Sequence, residues 1–426
     1  MSFAEEIKWR DLWHTGSEGF EEYSDKNKIT AYIGFDPTAD SLHVGSFLPI
    51  MLLVRLQQAG HTPIAIVGGG TGLIGDPSGR TTERQLLTKE MTDKNLAGIR
   101  SQLERFLDFS PGVANAARIV NNADWLVPMG MIDFMRDVGK HFTINYMLAK
   151  DSVDRRLGNE DGGLSYTEFS YMLLQAYDYL QLNQRYNCTL QMGASDQWGN
   201  ITAGMDLIRK VTGKHVHGLV SPLVTNSAGV KFGKSVSGAV WLDRNRTSPY
   251  KFYQFFLNSP DSDVIKYLKF FTLLSRDDIS AIEARLAEAP EGREAQKKLA
   301  EECTRMVHGE SALASAIEAS KALFGGDVST MSAADIGEIF ADVPSKTIAK
   351  DRLQAGIAVL DLMIEVGIAP SKGEARRLIE DGGFYLSNRR VSDAKMSVGV
   401  PEAIEGQFLV LRKGAKAYTL INIIPA

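Results

Sequence analysis

Lys231 and Lys234 stand three residues apart in "GVKFGKSVSG", with Gly229, Gly233 and Gly238 before, between and after them. Two ammonium groups on so pliant a backbone suit an anion. A second set of candidates lies in "YIGFDPTADSLHVGS", residues 32 to 46, between an apolar run and a helix expected to begin near Phe47. Thr38 and His43 then sit beside a helix N-terminus, where free N–H groups and the dipole favour negative charge. Gly45 allows close approach of a ligand to the backbone, Ser46 is the expected cap, and Pro49 falls in the first turn.

Two further loops carry carboxylates. "GTGLIG", residues 70 to 75, matches a dinucleotide fingerprint, but "DPSG" follows at once and Pro77 with Gly79 would disrupt the helix that fingerprint needs. A tight turn that leaves Asp76 at a strand end is the expectation. "LQMGASDQWGNITAG", residues 190 to 204, reads as strand, loop and helix, with Asp196 and Gln197 in the loop and Asn200 as a candidate cap. A strand-end carboxylate such as Asp196 has acceptors suited to ribose hydroxyls. Finally, in "SYTEFSYMLLQAYDYLQL" the residues Tyr171, Gln175 and Asp178 recur at helical spacing along an otherwise apolar helix of about four turns. Buried polar groups need partners, so this stripe is either solvated or the wall of a polar pocket.

These loops need a scaffold. "ITAYIGF" (29 to 35) and "TPIAIVGG" (62 to 69) read as buried strands flanking the helical "FLPIMLLVRLQQAG" (47 to 60). Strand, helix, strand predicts a right-handed crossover and a parallel sheet, whose ligands bind where strands end. From Ser248 with Pro249 onward the pattern is helical. Residues 325 to 350 read as a connector, and "SKGEARRLIEDGG" opens a last unit on the capping box Ser371 to Glu374 and closes on Gly382 and Gly383.

At 426 residues, 44% hydrophobic and 23% charged, the chain fits two or three globular domains. A net charge of -5 argues against coating nucleic acid by bulk attraction. Cys188 and Cys303 offer neither a disulfide framework nor a zinc site, so a reducing, cytoplasmic compartment is expected. Glu5 and Glu6 speak against a leader peptide, and no run reaches the roughly 18 apolar residues of a membrane span.

Together, "YIGFDPTADSLHVGS", "GLIGDPSG", "YTEFSYMLLQAYDYL", "GASDQWGNITAG" and "VKFGKS" resemble the bacterial-type tyrosyl-tRNA synthetases, of class I, over nearly the whole chain. The family's His-Ile-Gly-His signature falls on His43, Val44, Gly45 and Ser46. Its Lys-Met-Ser-Lys-Ser signature falls on Lys231, Phe232, Gly233, Lys234 and Ser235. Ser46 departs from the second histidine, a hydroxyl with shorter reach, and Arg80 stands where many relatives have lysine.

The resemblance implies an α/β fold: a Rossmann-like parallel-sheet catalytic domain over 1–247 with an inserted dimerisation region, an all-α anticodon-binding domain over 248–325, a linker over 326–349, and a small α+β RNA-binding domain, of the type named after small-subunit ribosomal protein S-four, over 350–426. It implies that tyrosine and ATP with Mg2+ give tyrosyl-adenylate, and that tyrosine then passes to the terminal adenosine of tRNA(Tyr). Thr38, His43, Lys231 and Lys234 would be catalytic. Tyr32 and Asp178 would meet the substrate phenol, Asp76, Tyr171 and Gln175 its ammonium, and Gln197 its carboxylate. ATP would be held by Gly34, Asp36, His43, Gly45, Ser46, Asp196, Lys231, Lys234 and Ser235, with Arg80 and Arg84 as further phosphate or tRNA contacts.

In the last unit Lys372, Arg376 and Arg377 share a helix that leads to Arg389 and Arg390 at a hairpin-like "SNRR". Residues 366 to 426 carry nine Lys and Arg against six Asp and Glu, a local excess of three positive charges on an acidic chain. A homodimer is implied through the region near 120 to 160, with no tightly bound metal and neither membrane nor DNA as partner. The rival readings are a synthetase-like RNA-binding or splicing protein with reduced catalysis, a tryptophan-specific relative, and a nicotinamide enzyme.

Overall fold

The computed structural model describes the chain apart from residues 1, 79–86, 151–152, 154–163, 228, 230–231, 236–237, 323–325, 327, 330, 342, 415–416 and 426, and only the backbone at 234, 235 and 322. The chain forms two compact units, Met1–Ser248 with Phe255–Val307, and Pro249–Gln254 with His308–Ala426.

The first unit is built on a six-stranded sheet: β1 (Thr15–Gly16), β2 (Thr30–Phe35), β3 (Thr62–Val67), β4 (Arg118–Asn121), β5 (Leu190–Ala194) and β6 (His217–Ser221), ordered β1-β6-β5-β2-β3-β4. β1 runs antiparallel to β6 and the other pairs are parallel. β2 and β3 read as apolar runs because helices cover both faces of a parallel sheet. From β2 the chain builds outward through β3 and β4, then returns to place β5 on the other side of β2. The ends of β2 and β5 therefore flank a topological switch point, where a crevice opens.

The helix after β2 spans Val44–Gln58 and not the stretch from Phe47. Its N-cap is His43, whose Nδ1 accepts the Gly45 N–H at 3.0 Å, so Ser46 lies inside the first turn and is not the cap. Pro49 consequently falls in the second turn, where it withholds a donor from the Gly45 carbonyl. The glycine-rich 70–75 makes a single 3-10 turn, Thr71–Leu73, followed by Gly75 at φ +87°, the tight turn that its proline suggested. The striped helix runs Tyr166–Tyr186, longer than four turns, and stops only at Asn187 in the left-handed region. Asn200 is not a cap either: the next helix starts at Trp198, and Asn200 is buried in its first turn.

The second unit carries a five-stranded sheet ordered Arg389–Arg390, Phe384–Leu386, Phe408–Lys413, Ala417–Ile424, Ser345–Ala349. Of the stretch read as a linker, Ala333–Ile339 is a helix and Ser345–Ala349 is an edge strand parallel to Ala417–Ile424. Val328, Ile336, Ile339 and Phe340 pack on Val410 and Leu420. Scarce aromatics made this stretch look loose, but its aliphatic side chains and the single ring of Phe340 build a core. The "SNRR" hairpin turns through Ser387 (φ 49°) and Asn388 (φ 61°), the pair of positive φ values of a two-residue type I′ turn.

Candidate functional site

A cavity of about 240 Å³ opens at the switch point, below the roughly 300–1,000 Å³ of pockets that take drug-sized ligands. It is lined from β2, β3, β5 and the helix Tyr166–Tyr186. At its floor the Tyr32 hydroxyl is buried, with the residue 1% exposed, and has no hydrogen-bond partner among the described residues. Such a group costs stability unless something pairs with it, which points to a ligand hydroxyl or N–H. Asp178, also buried, accepts from Trp125 Nε1 at 2.7 Å and from Asn122 Nδ2 at 2.9 Å. Burial pushes the Asp178 carboxyl up to about 7 against those two donors, which pull it down. Burial likewise raises the Tyr32 and Tyr171 phenols, so both stay protonated donors at neutral pH.

A hydrogen-bonded chain climbs the wall from that floor. Asn122 Nδ2 also donates to Thr71 Oγ1 (2.9 Å), Thr71 donates to Asp36 Oδ1 (3.0 Å), and the Tyr171 hydroxyl donates to Asp36 Oδ2 (3.1 Å). A second chain runs from Asn200 Nδ2 to Gln175 Oε1 (3.1 Å), from Gln175 Nε2 to Gln197 Oε1 (3.3 Å), and from Gln197 Nε2 to Asp76 Oδ2 (2.8 Å). The polar stripe of the helix is therefore a pocket wall and not a solvated face. Carboxylates at Asp36 and Asp76 with a neutral amide network suit an ammonium, while the floor suits a hydroxyl that both donates and accepts.

Tyr32, Gly34, Asp36, Asp76, Tyr171, Gln175, Asp178 and Gln197, all singled out from sequence, line this cavity together. Thr38, His43, Gly45, Ser46 and Asp196 do not line it. Thr38 and His43 are exposed near the start of the helix Val44–Gln58, and Asp196 is half-buried in the 3-10 turn Ser195–Gln197. Lys234 and Ser235 form a short strand paired with Gly238–Ala239. Lys231, Arg80 and Arg84 lie outside the described residues. Thr71, Asn122, Trp125 and Gln191 were missed. Asn122 directly follows β4, so a strand-end rule applied to "RIVN" would have found it.

In the second unit the helix Lys372–Glu380 exposes Lys372, Arg376 and Arg377, and the hairpin exposes Arg389 and Arg390. Lys372 pairs with Asp361 at 2.5 Å, and Arg389 Nη2 donates to Ser329 Oγ at 2.7 Å. Among the described residues no group of three or more His, Cys, Asp or Glu is arranged to hold a metal ion, and no helix is long and apolar enough to cross a membrane.

Residues 24–325 match the family of class I tRNA synthetases for W and Y, and residues 335–421 match the tyrosine--tRNA ligase SYY-like C-terminal domain. The chain is 54% identical to a tyrosine--tRNA ligase of Roseiflexus castenholzii, with 99% of each chain covered. It is 50% identical to that of Geobacillus stearothermophilus, over 99% of this chain and 100% of the relative. A solved C-terminally truncated mitochondrial tyrosyl-tRNA synthetase of Aspergillus nidulans superposes with a TM-score of 0.67 at 30% identity, covering 76% of this chain and 94% of that one. With two matching family models, near-complete coverage by such relatives and a pocket built at the switch point of a parallel sheet, the chain belongs to the bacterial tyrosyl-tRNA synthetases.

Proposed function

We propose that this chain is a tyrosine–tRNA ligase whose pocket selects tyrosine by its hydroxyl. The observation that carries the reading is the cavity floor, where an unpartnered Tyr32 hydroxyl faces the same space as the Asp178 carboxyl. A phenol donates to Asp178 and accepts from Tyr32, whereas phenylalanine leaves the Tyr32 hydroxyl unpaired and offers Asp178 no donor, and an indole N–H can only donate. Discrimination of about 10⁵ against phenylalanine is already established for tyrosyl-tRNA synthetases as a class, and such a floor is consistent with it. Asp36, Asp76, Tyr171 and Gln175 take the ammonium, and Gln197 is near the carboxylate.

In the first step the tyrosine carboxylate attacks the α-phosphate of ATP, the bond to the β-phosphate breaks, and pyrophosphate leaves. In the second, a ribose hydroxyl of the terminal adenosine of tRNA(Tyr) attacks the acyl carbon and AMP departs. No protein nucleophile is needed, so the chain acts by positioning and by stabilising charge on the phosphates. We assign that work to Thr38 and His43 at the helix start and to Lys231 and Lys234, with Gly34, Asp36, Gly45, Ser46, Asp196 and Ser235 holding the nucleotide, and Arg80 and Arg84 as further contacts. Mg2+ arrives with ATP as part of the substrate.

Residues 248–325 serve the anticodon end of the tRNA and 350–426 its backbone through Lys372, Arg376, Arg377, Arg389 and Arg390. The working form is a cytoplasmic homodimer. Val127, Met131 and Ile132, exposed at 64%, 67% and 75%, lie within the 120–160 region and support that site of pairing. Asp178→Ala tests the pocket: tyrosine-dependent ATP–pyrophosphate exchange is lost from a folded protein, and a folded, fully active variant contradicts the reading.

A further inference from the structure

We propose that Phe232 is a positioning residue, the outer ring of a stack Phe232–Phe271–Phe47 that fixes the backbone at 232–233 onto the first turn of the helix Val44–Gln58. The inference rests on the proposed function and concerns the same reaction.

Phe232 occurs in a glycine-rich segment between the two signature lysines, where an aromatic residue has no obvious duty. Its ring enters a cage made by Phe255, Phe256, Tyr267 and Phe271, with centroids 5.1, 6.1, 4.8 and 5.1 Å away. It lies nearly parallel to Phe271, at 19°, and Phe271 in turn stacks on Phe47 at 5.5 Å and 6°. Phe47 is one turn beyond His43 in the same helix. The stack therefore runs from the lysine-bearing segment, through the helix Asp261–Phe271, to the helix that His43 caps.

The middle of that path is firmly held. Arg55, at the far end of the Phe47 helix and buried, donates through Nη2 to the carbonyls of Lys269, Phe270 and Thr272 at 2.9–3.0 Å. Arg10, also buried, donates to the carbonyls of Lys269, Thr272 and Leu274. Two guanidinium groups thus cap the C-terminus of Asp261–Phe271, and Arg55 locks it against the helix that carries Phe47.

At the near end the backbones touch. Gly233 has φ +94°, and a Cβ there would fall 2.9 Å from Val44 Cγ2 and 3.2 Å from the Gly45 nitrogen. Phe232 N donates to the Val224 carbonyl at 2.9 Å, Val240 N to that of Gly233 at 3.3 Å, and Val44 N to that of Val240 at 2.9 Å. A ring anchored beside a backbone this close to the helix start sets where the backbone of the next residue, 234, is placed, and small displacements of groups that act on substrate are expensive in rate.

The test uses full-length protein and tyrosine-dependent ATP–pyrophosphate exchange, with tyrosine binding and thermal unfolding measured beside it. Phe232→Ser is expected to lower kcat about 100-fold while the tyrosine KM stays within about twofold. Phe232→Met, whose thioether can occupy an aromatic cage, is expected to stay within about threefold of wild type. Combined with Lys234→Ala, Phe232→Ser adds little further loss, because both act on one segment. If Phe232→Ser does not fold, Phe232→Leu replaces it. An unchanged kcat, an equal loss in tyrosine binding, no rescue by methionine, or fully additive losses would each overturn the inference. A wild-type chain without exchange overturns the functional reading and this inference with it; exchange in wild type beside an indifferent Phe232→Ser overturns the inference alone.

Discussion

At Asp178, burial and hydrogen bonding act in opposite directions on one carboxyl, and burial prevails, lifting it to about 7. Folding therefore raises this group above its unfolded value, so its proton stabilises the native state fully below about pH 4 and that contribution is lost as pH rises through about 7. Unfolding titrations should show wild-type stability falling relative to Asp178→Asn between those values; parallel curves would mean that the carboxyl titrates normally. Asn122 joins Asp178 to Thr71 and so ties floor to wall. Asn122→Ala should cost about 1–3 kcal/mol of transition-state stabilisation, read as a fall in kcat/KM for tyrosine, and an unaltered value would detach it from the site. The stripe Tyr171, Gln175, Asp178 was legible because helical spacing puts it on one face. Trp125 was not, since a tryptophan in "NNADW" reads as core until Asp178 is seen to accept its N–H.

Elements place these residues, and their ends were harder to read than their middles. A serine before an apolar run looks like a cap, yet the helix after β2 uses the ring nitrogen of His43 and takes Ser46 into its first turn. This assigns His43 two duties that can be separated. His43→Asn keeps a capping acceptor and should retain stability while losing activation, whereas His43→Ala should lose about 1 kcal/mol as well; equal stability of the two variants in urea unfolding would remove the capping role. In the second unit Asn388 combines a positive φ with side-chain bonds to the Gly326 carbonyl (2.7 Å) and from the Tyr418 hydroxyl (3.1 Å). Asn388→Ala should therefore destabilise this unit by about 2 kcal/mol in denaturant titration, and a neutral outcome would show the hairpin to be held by its strands alone. The turn chemistry of "SNRR" was visible in sequence. The edge strand Ser345–Ala349 was not, because its exposed, lysine-bearing side resembles a loop until its partner strand is known.

For the whole molecule, the parallel sheet and the helical stretch were legible from hydrophobic period and turn residues, whereas the small final sheet was implied only by the family resemblance. How the helices after Ser248 divide was not, since Phe255–Val307 packs with the sheet unit and His308–Ala426 with the C-terminal one through contacts distant in sequence. Removing residues 350–426 would strip Ser345–Ala349 of its partner and open the core around Phe340, so charge reversal in the intact chain tests the RNA role more cleanly. Arg376→Glu with Arg377→Glu should weaken tRNA binding, lower its salt dependence by about two ions, and leave tyrosine activation unchanged. Binding at wild-type strength would remove that helix from the RNA surface. The central claim, that the cavity floor chooses a phenol and the surrounding loops activate it, is tested most directly by ATP–pyrophosphate exchange with tyrosine, phenylalanine and tryptophan supplied separately in the absence of tRNA. Exchange with tyrosine alone is the predicted result; exchange with none of the three from folded protein, or equal exchange with phenylalanine, contradicts it.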